Sequence, residues 1–318
     1  MIALRATLEL HTAFGTPLSG DTLFGQLCWT AREQLGNDQL TLLLEGYTAG
    51  RPWLVVSDGF PEGFVPKPTV PAARANELTG TGVASAQQRK AEKAKHWIPL
   101  AETAATLSQL LAAAVNDKRA FGDQPVEAPQ PHNTLNRLTG STGEGEFAPY
   151  TQPQIFFAGG QRMDIHCVLD ETRLSVETLL SLLQAIGSHG FGRDASIGLG
   201  KFSVESLTVY TFAKHTQADA YLTLSPCAPQ GLGFNGVQSY WRVLTRFGRH
   251  GNVHGISEKP FKNPVLLAAT GAVFVPQALY TPRLFIGQGL GGKGLLSKIE
   301  PDTVHQGYAP VVCIKIGA

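Results

Sequence analysis

The sequence is poor in charge. Asp, Glu, Lys and Arg make up 16% of its 318 residues, and the formal net charge is +1. So even a balance argues against a free-standing nucleic-acid binder held by a broad basic field. Cysteine is scarce as well: Cys28, Cys167, Cys227 and Cys313 are widely spaced, form no C-x-x-C pair and sit among apolar residues. That usage fits small buried hydrophobes in a reduced, cytoplasmic protein. No run of about 18 apolar residues occurs, so no membrane-spanning helix is expected. The start, MIALRATLELH, interrupts its apolar run with Arg5 and Glu9, unlike a signal peptide. There is no G-x-S-x-G nucleophile signature. His250 and His254 lie four apart, but RHGNVHG carries two glycines and no neighbouring Cys or carboxylate, so no zinc site is expected. No metal and no cofactor follow from these residues.

Glycine (35) and proline (20) are plentiful, and 43% of the chain is hydrophobic. A packed core with many turns between strands is the expected outcome. Charge is uneven along the chain: residues 206–318 hold 10 Lys and Arg against 4 Asp and Glu, and residues 1–205 hold 16 against 21. A mildly basic half beside an acidic one fits a subunit with two kinds of partner, and it also fits ordinary scatter.

Periodicity supplies the elements. IALRATLELH (2–11) alternates as a half-buried strand, and SGDTLFGQLCWTAREQLG reads as a helix capped by Ser19 or Asp21 and closed by Gly36. WLVVSDGFP (53–61) is a short buried strand. A long irregular stretch follows, with a basic helical piece in AQQRKAEKAKHW and an apolar helix near 104–115. QIFFAGGQRMDIHCVLD (154–170) reads as a hairpin or a bulged strand, SVETLLSLLQAIGSHG (175–190) as a helix with Ser175 at its N-cap, and GKFSVESLTVY (200–210) as a strand. With the middle set aside, this is the β-α-β-β-α-β order of a ferredoxin-like or RRM-like unit. From 220 onward, strand-like runs surround one helix expected over GVQSYWRVLTRFG (236–248), a less complete unit of the same class. The expected fold is therefore α+β: two ferredoxin-like (RRM-like) domains, 1–205 and 206–318, with an insertion at about 62–150 in the first.

Two glycine-rich segments raise chemical questions. In GQGLGGKGLLSK, Gly287, Gly292 and Lys293 match the G-x-x-x-x-G-K spacing of a phosphate-binding loop. Gly294 stands where that loop needs a Ser or Thr for magnesium, and LLSKIE before Pro301 is too short for the helix it requires. A turn between strands, or a loop laying backbone N–H groups and Lys293 against RNA or a partner, are the readings left. GFGRDASIGLGKF is more specific, with Gly190, Gly192, Gly198 and Gly200 in the pattern G-h-G-x5-G-h-G, where h is apolar. Without a Cβ, such glycines let backbone approach a ligand or another segment closely. Arg193, Ser196 and Lys201 add donors suited to phosphate oxygens. The other reading is a turn that serves packing alone.

HNTLNRLTGSTGEGEFAPY (132–150) is polar and turn-rich, with hairpin-tip composition in TGSTGEG. His132, Asn133, Asn136 and Arg137 suit contacts to bases or backbone, unless the segment is simply a solvent loop. His11, His166 and His189 sit near strand or helix ends as general-base candidates, but none is paired with Lys or Tyr at telling spacing.

The glycine pattern after a β-α-β-β-α-β unit resembles the repeat-associated mysterious proteins (RAMPs) of CRISPR systems. Within them the chain resembles the Csm-type subunit of type III-A effector complexes that holds the crRNA 5′ end. FGTPLSGDTLFGQLCW, SDGFPEGFVPKP, KAEKAKHWIPL, the 132–150 segment and VHQGYAPVV are similar to that subunit's segments in the same order. The resemblance implies no catalysis, a 5′ handle bound by the chain, and docking against the large palm-domain subunit and a backbone RAMP subunit. By the same resemblance Gly190 to Lys201 cradle the handle, and Asn133, Asn136 and Arg137 press on the guide. Asp21 and Thr22 open the first helix, where N–H groups suit a phosphate. The C-terminal loop departs from the pattern, which weakens the case for Lys293. The competing reading is a metal-independent RAMP endoribonuclease that processes crRNA, for which His189 is the natural base.

Overall fold

The computed structural model describes residues 1–79, 86–251 and 260–316. It is α+β, built on several antiparallel sheets. In β1 (Ile2–Leu10), Leu4, Ala6, Leu8 and Leu10 face one way and are buried. They meet α1 (Gly20–Leu35) through Leu23, Phe24, Leu27 and Ala31, which recur at helical spacing. Gly36 ends that helix at φ +92° before α2 (Asn37–Leu44). The chain then runs through β2 (Leu54–Val56) and β3 (Phe60–Pro61) into the 62–150 stretch.

The 62–150 stretch is more ordered than its composition suggests. β4 (Phe64–Pro66) is followed by α3 (Ala72–Thr79), α4 (Ala86–Lys93), β5 (Lys95–Pro99), α5 (Leu107–Ala113), β6 (Val115–Asn116) and α6 (Asp117–Phe121), with β4, β5 and β6 forming a three-stranded sheet. The basic helix therefore stops at Lys93, and KHWIP continues as a strand. Thr106 and Gln109 form a reciprocal capping box on α5. β7 (Val126–His132) and β8 (Tyr150–Phe156) then pair as a projecting arm.

β9 (Arg162–Leu169), α7 (Val176–His189) and β10 (Phe202–Val209) complete the first sheet, whose order is β10-β1-β9-β2. Ser175 caps α7 by accepting the Thr178 N–H at 3.2 Å. The 154–170 stretch is not a hairpin. Its first half is β8, paired with β7, and its second half is β9, paired with β1. The Phe14–Ile155 bridge ties the arm back to the sheet and forces the chain to turn between the two strands.

The second half supplies β11 (Ala220–Thr223), β12 (Val243–Arg246), β13 (Val265–Ala268), β14 (Val273–Phe274), β15 (Phe285–Gly291) and β16 (Val304–Ile314). Their main sheet has the order β14-β11-β16-β15, and β12 pairs with β13. The helix expected over 236–248 is a strand segment instead: Tyr240 donates its N–H to the Val273 carbonyl at 2.8 Å, and Val243 to Arg246 pair with β13. Its run of Tyr, Trp, Val, Thr and Phe between two glycines suits a pleated surface better than a helix. Among the described residues, 206–318 hold no α-helix. The helical cover of this sheet comes from α5, where Leu107, Leu110 and Leu111 pack on Ala220, Leu222, Val312 and Ile314. Tyr308 of β16 reaches into the first core, and its hydroxyl donates to the Tyr47 carbonyl at 2.6 Å.

Candidate nucleic-acid interface

The glycine pattern lies between the end of α7 and the start of β10, and all four of its glycines have positive φ. Three of them are packed against their own chain. A Cβ on Gly190 would sit 2.4 Å from the Leu199 carbonyl oxygen, on Gly192 2.8 Å from the Thr16 Cβ, and on Gly200 2.2 Å from the Phe191 carbonyl oxygen. Phe191 between them is fully buried in the first core. Only Gly198 of the four faces open space. The doubled pattern is therefore mainly a device for folding a tight loop onto Phe191, with Gly198 left at the surface.

The loop is braced on every side. Gln26 donates its amide to the Gly190 carbonyl at 2.8 Å and accepts the Gly192 N–H at 3.2 Å. Thr16 accepts the Arg193 N–H at 3.0 Å, and Thr12 accepts the Lys201 N–H at 2.9 Å. Arg193 is not an unengaged phosphate ligand: its guanidinium donates to the Pro153 carbonyl in β8 and lies 3.3 Å from the Asp194 carboxylate. It thus locks the loop to the arm. Ser196, Ile197 and Lys201 are exposed, so of the polar groups in the loop Ser196, Lys201 and the Gly198 backbone meet solvent.

At the arm, His132 and Tyr150 stack with ring centroids 5.4 Å apart where the strands part. Asn136 accepts the Leu138 N–H through its side chain at 2.9 Å, and its carbonyl accepts the Gly140 N–H at 2.8 Å. That Asx turn shapes the tip, so Asn136 is a tip-forming residue before it is a base reader. Asn133 and Arg137 are exposed, as are Leu135 and Leu138, the latter at 96%.

The start of α1 does not offer a phosphate site. The Gly20 N–H donates to Asp58 at 2.7 Å, and the Thr22 N–H donates to Asp21 at 2.9 Å. Asp21 is itself buried. Ser19 donates to it at 2.8 Å, Arg246 from β12 at 2.6 Å, and His305 of β16 lies 3.3 Å away. Burial alone would raise its pKa, but His305 and then Arg246 hold the carboxyl well below the usual carboxylate range. Two carboxylates already fill the helix start, which corrects the expectation for Asp21 and Thr22. Sequence spacing carried no signal for Arg246, 225 residues from Asp21.

Lys293 stands at the exposed tip of the β15–β16 connection with φ +51°, and no helix follows it. Gly287 and Gly289 serve packing, whereas Gly292 faces open space. A Cβ on Gly287 would lie 2.1 Å from the Gly307 carbonyl oxygen, and one on Gly289 2.5 Å from that of Tyr47. GQGLG is thus a strand stripped of side chains where Tyr47 and β16 press on it. His254 lies outside the described residues, and His250 is buried with its Nε2 2.9 Å from the Ser297 hydroxyl.

The glycine conformations give a direct check. Gly198→Ala is expected to cost about 1–2 kcal/mol, the strain of a left-handed non-glycine residue in open space. Gly200→Ala carries that strain plus a clash with Phe191 backbone, so its melting temperature should fall clearly further. Equal melting temperatures would contradict the packing role of Gly200.

No family model matches the chain, and a search of curated proteins returns no match. Solved structures do match. A chain in the crystal structure of a Csm1-Csm4 cassette in complex with pppApA is 14% identical with a TM-score of 0.61, and 99% of each chain is covered. A chain of the same cassette in complex with cA4 is 13% identical with a TM-score of 0.60 and the same coverage. A chain in the Csm3-Csm4 subcomplex of the type III-A CRISPR-Cas interference complex is 11% identical with a TM-score of 0.54, covering 94% of this chain and 98% of that one. Over essentially its whole length, this chain has the fold of chains found in Csm1-Csm4 and Csm3-Csm4 assemblies.

Proposed function

We propose that this chain is the Csm4-type RAMP subunit of a type III-A CRISPR assembly, a non-catalytic RNA-binding part that holds the 5′ handle of a crRNA. The observation that carries the reading is the end-to-end fold match to chains in both assemblies, whose common component is Csm4. Docking with Csm1- and Csm3-type subunits belongs to the same proposal, as does descent of the two halves from two ferredoxin-like units. The geometry supplies a mechanism. The glycine loop is braced to the arm through Arg193 and Pro153; the loop presents Lys201, Ser196 and the Gly198 backbone, and Asn133 and Arg137 stand further out, beyond the His132–Tyr150 pair at the arm's tip. Single-stranded nucleotides would lay phosphates on the cations and splay bases along the arm.

A His-centred ribonuclease is the weaker reading. His189 places Nδ1 2.7 Å from the Ala185 carbonyl of its own helix. Among the described residues no ion pair joins it to a carboxylate.

Filter binding of handle RNA to the full chain tests the proposal. Lys201→Ala with Arg137→Ala, both exposed, should weaken binding and flatten the salt dependence by about 0.7 in log–log slope per lost phosphate contact. An unchanged affinity and slope would remove these residues from the interface. Specific cleavage of a repeat hairpin without metal would instead favour the enzyme.

A further inference from the structure

The sheet face opposite the helices is the one on which RRM-type domains stack bases, and in this chain it is covered. Thr7 donates to Asp164 at 2.7 Å, the Gly63 N–H donates to Asp164 at 2.9 Å, and Asp164 is 0% exposed. Beside it, His166 is 2% exposed and packs against Phe212 and Tyr210, with ring centroids 4.6 and 5.6 Å away. Neither ring nitrogen of His166 has a hydrogen-bond partner among the described residues. A buried, unsatisfied polar group is costly, so it points to a partner that the fold itself does not provide.

His166 lines a cavity of about 140 Å³ at the seam between the first sheet and β16. Apolar cavities of about 150 Å³ hold a single aromatic ring. The wall includes Tyr210, Phe212, Pro282 and Val311, and the lining carries Lys214 and Arg283 but no carboxylate. Both cations are exposed. Burial, and secondly the neighbouring Arg5 charge, bring the His166 pKa down to about 3. The imidazole is therefore neutral, with one donor and one acceptor nitrogen.

We propose that this seam cavity is a nucleotide site: a base enters against Phe212 and Tyr210, His166 hydrogen-bonds its edge, and Lys214 and Arg283 hold its phosphate. The site lies at the Leu4–Val209 end of β1 and β10, whereas the glycine loop lies at the Leu10–Phe202 end. The two ends are about 20 Å apart at roughly 3.3 Å per residue. The nucleotide can come from two sources, free in solution or as a unit of a bound RNA.

Calorimetry on the full chain with 5′-UMP, 5′-AMP and uridine separates them. Binding of the nucleotides about tenfold tighter than uridine, lost in His166→Phe and weakened about tenfold in Arg283→Ala and Lys214→Ala, is the expected result for a free nucleotide. Lys201→Ala should leave this binding unchanged, so failure of the glycine-loop reading and failure of this one are distinguishable. If the mononucleotides give no heat, ultraviolet cross-linking of a single-stranded RNA should mark residues 210–214 and vanish in Arg283→Ala, assigning the site to an RNA-borne nucleotide. Arg283 and Lys214 are exposed, so their variants report even if His166→Phe fails to fold. Nucleotide binding unaffected by the Lys214 and Arg283 variants overturns the proposal. So does the absence of both heat and a cross-link.

Discussion

Arg246→Met is expected to lower the unfolding free energy by about 3 kcal/mol, the lower end of what removing one partner of a buried ion pair costs. The side chain of Asp21 is fully enclosed, whereas that of Arg246 is 29% exposed, so water relieves part of the loss. The guanidinium makes three contacts at once: 2.6 and 3.1 Å to the two Asp21 oxygens and 2.9 Å to the Ser19 hydroxyl. Methionine fills similar space and supplies none of them, leaving a buried carboxylate with His305, Ser19 and the Thr22 N–H. The same pair joins the start of α1 to β12, so the loss also loosens the second half from the first. Urea unfolding of Arg246→Met, Asp21→Asn and the double variant checks the cause. If the pair carries the effect, the double variant should be at least about 1 kcal/mol more stable than the sum of the singles requires. Strict additivity would mean that Arg246 acts through packing alone.

Much of the first half was legible in the sequence because its signals are local. The alternation in 2–11, the Ser175 cap and the terminal Gly36 each act within a turn or a strand, and each forms as read. The glycine loop was located for the same reason, but its role was not. Four glycines announce close approach without saying to what, and the neighbours of Gly190, Gly192 and Gly200 prove to be Leu199, Thr16 and Phe191. Arg193 looked like a phosphate donor because no local pattern reveals the Pro153 carbonyl, 40 residues away. The 236–248 segment failed differently. Its apolar spacing fits a helix, but β13 offered a strand partner, and strand pairing is non-local. His166 was visible only as a lone histidine; its orphaned ring and the cavity beside it require the second half to be folded against the first.

The stability difference between the protein and its Asp58→Asn variant should depend on pH, shifting in favour of asparagine by about 2 to 3 kcal/mol between pH 5 and pH 8. The Asp58 carboxyl accepts the Gly20 N–H at 2.7 Å and the Thr270 hydroxyl at 2.5 Å. Burial nevertheless pushes its pKa up to about 7, opposed by those two hydrogen bonds and assisted by the nearby Asp21 charge. A carboxyl whose pKa is raised on folding favours the fold most when protonated, below its unfolded value near 3.8. That contribution declines as pH rises and is gone above the folded value. Asp21 has the opposite sign: its depressed pKa stabilises the fold above the unfolded value and fails only in acid. The charged groups beside Asp58 are Asp21 and Arg246. Both are present in both proteins, so their direct contributions cancel in the difference to first order. Asparagine keeps the acceptor for Gly20 and carries no charge to desolvate, which is why the gain should appear above neutrality and not at pH 5. Urea unfolding of both proteins across this range measures it, and a flat difference would mean that Asp58 ionises inside the fold as easily as in water.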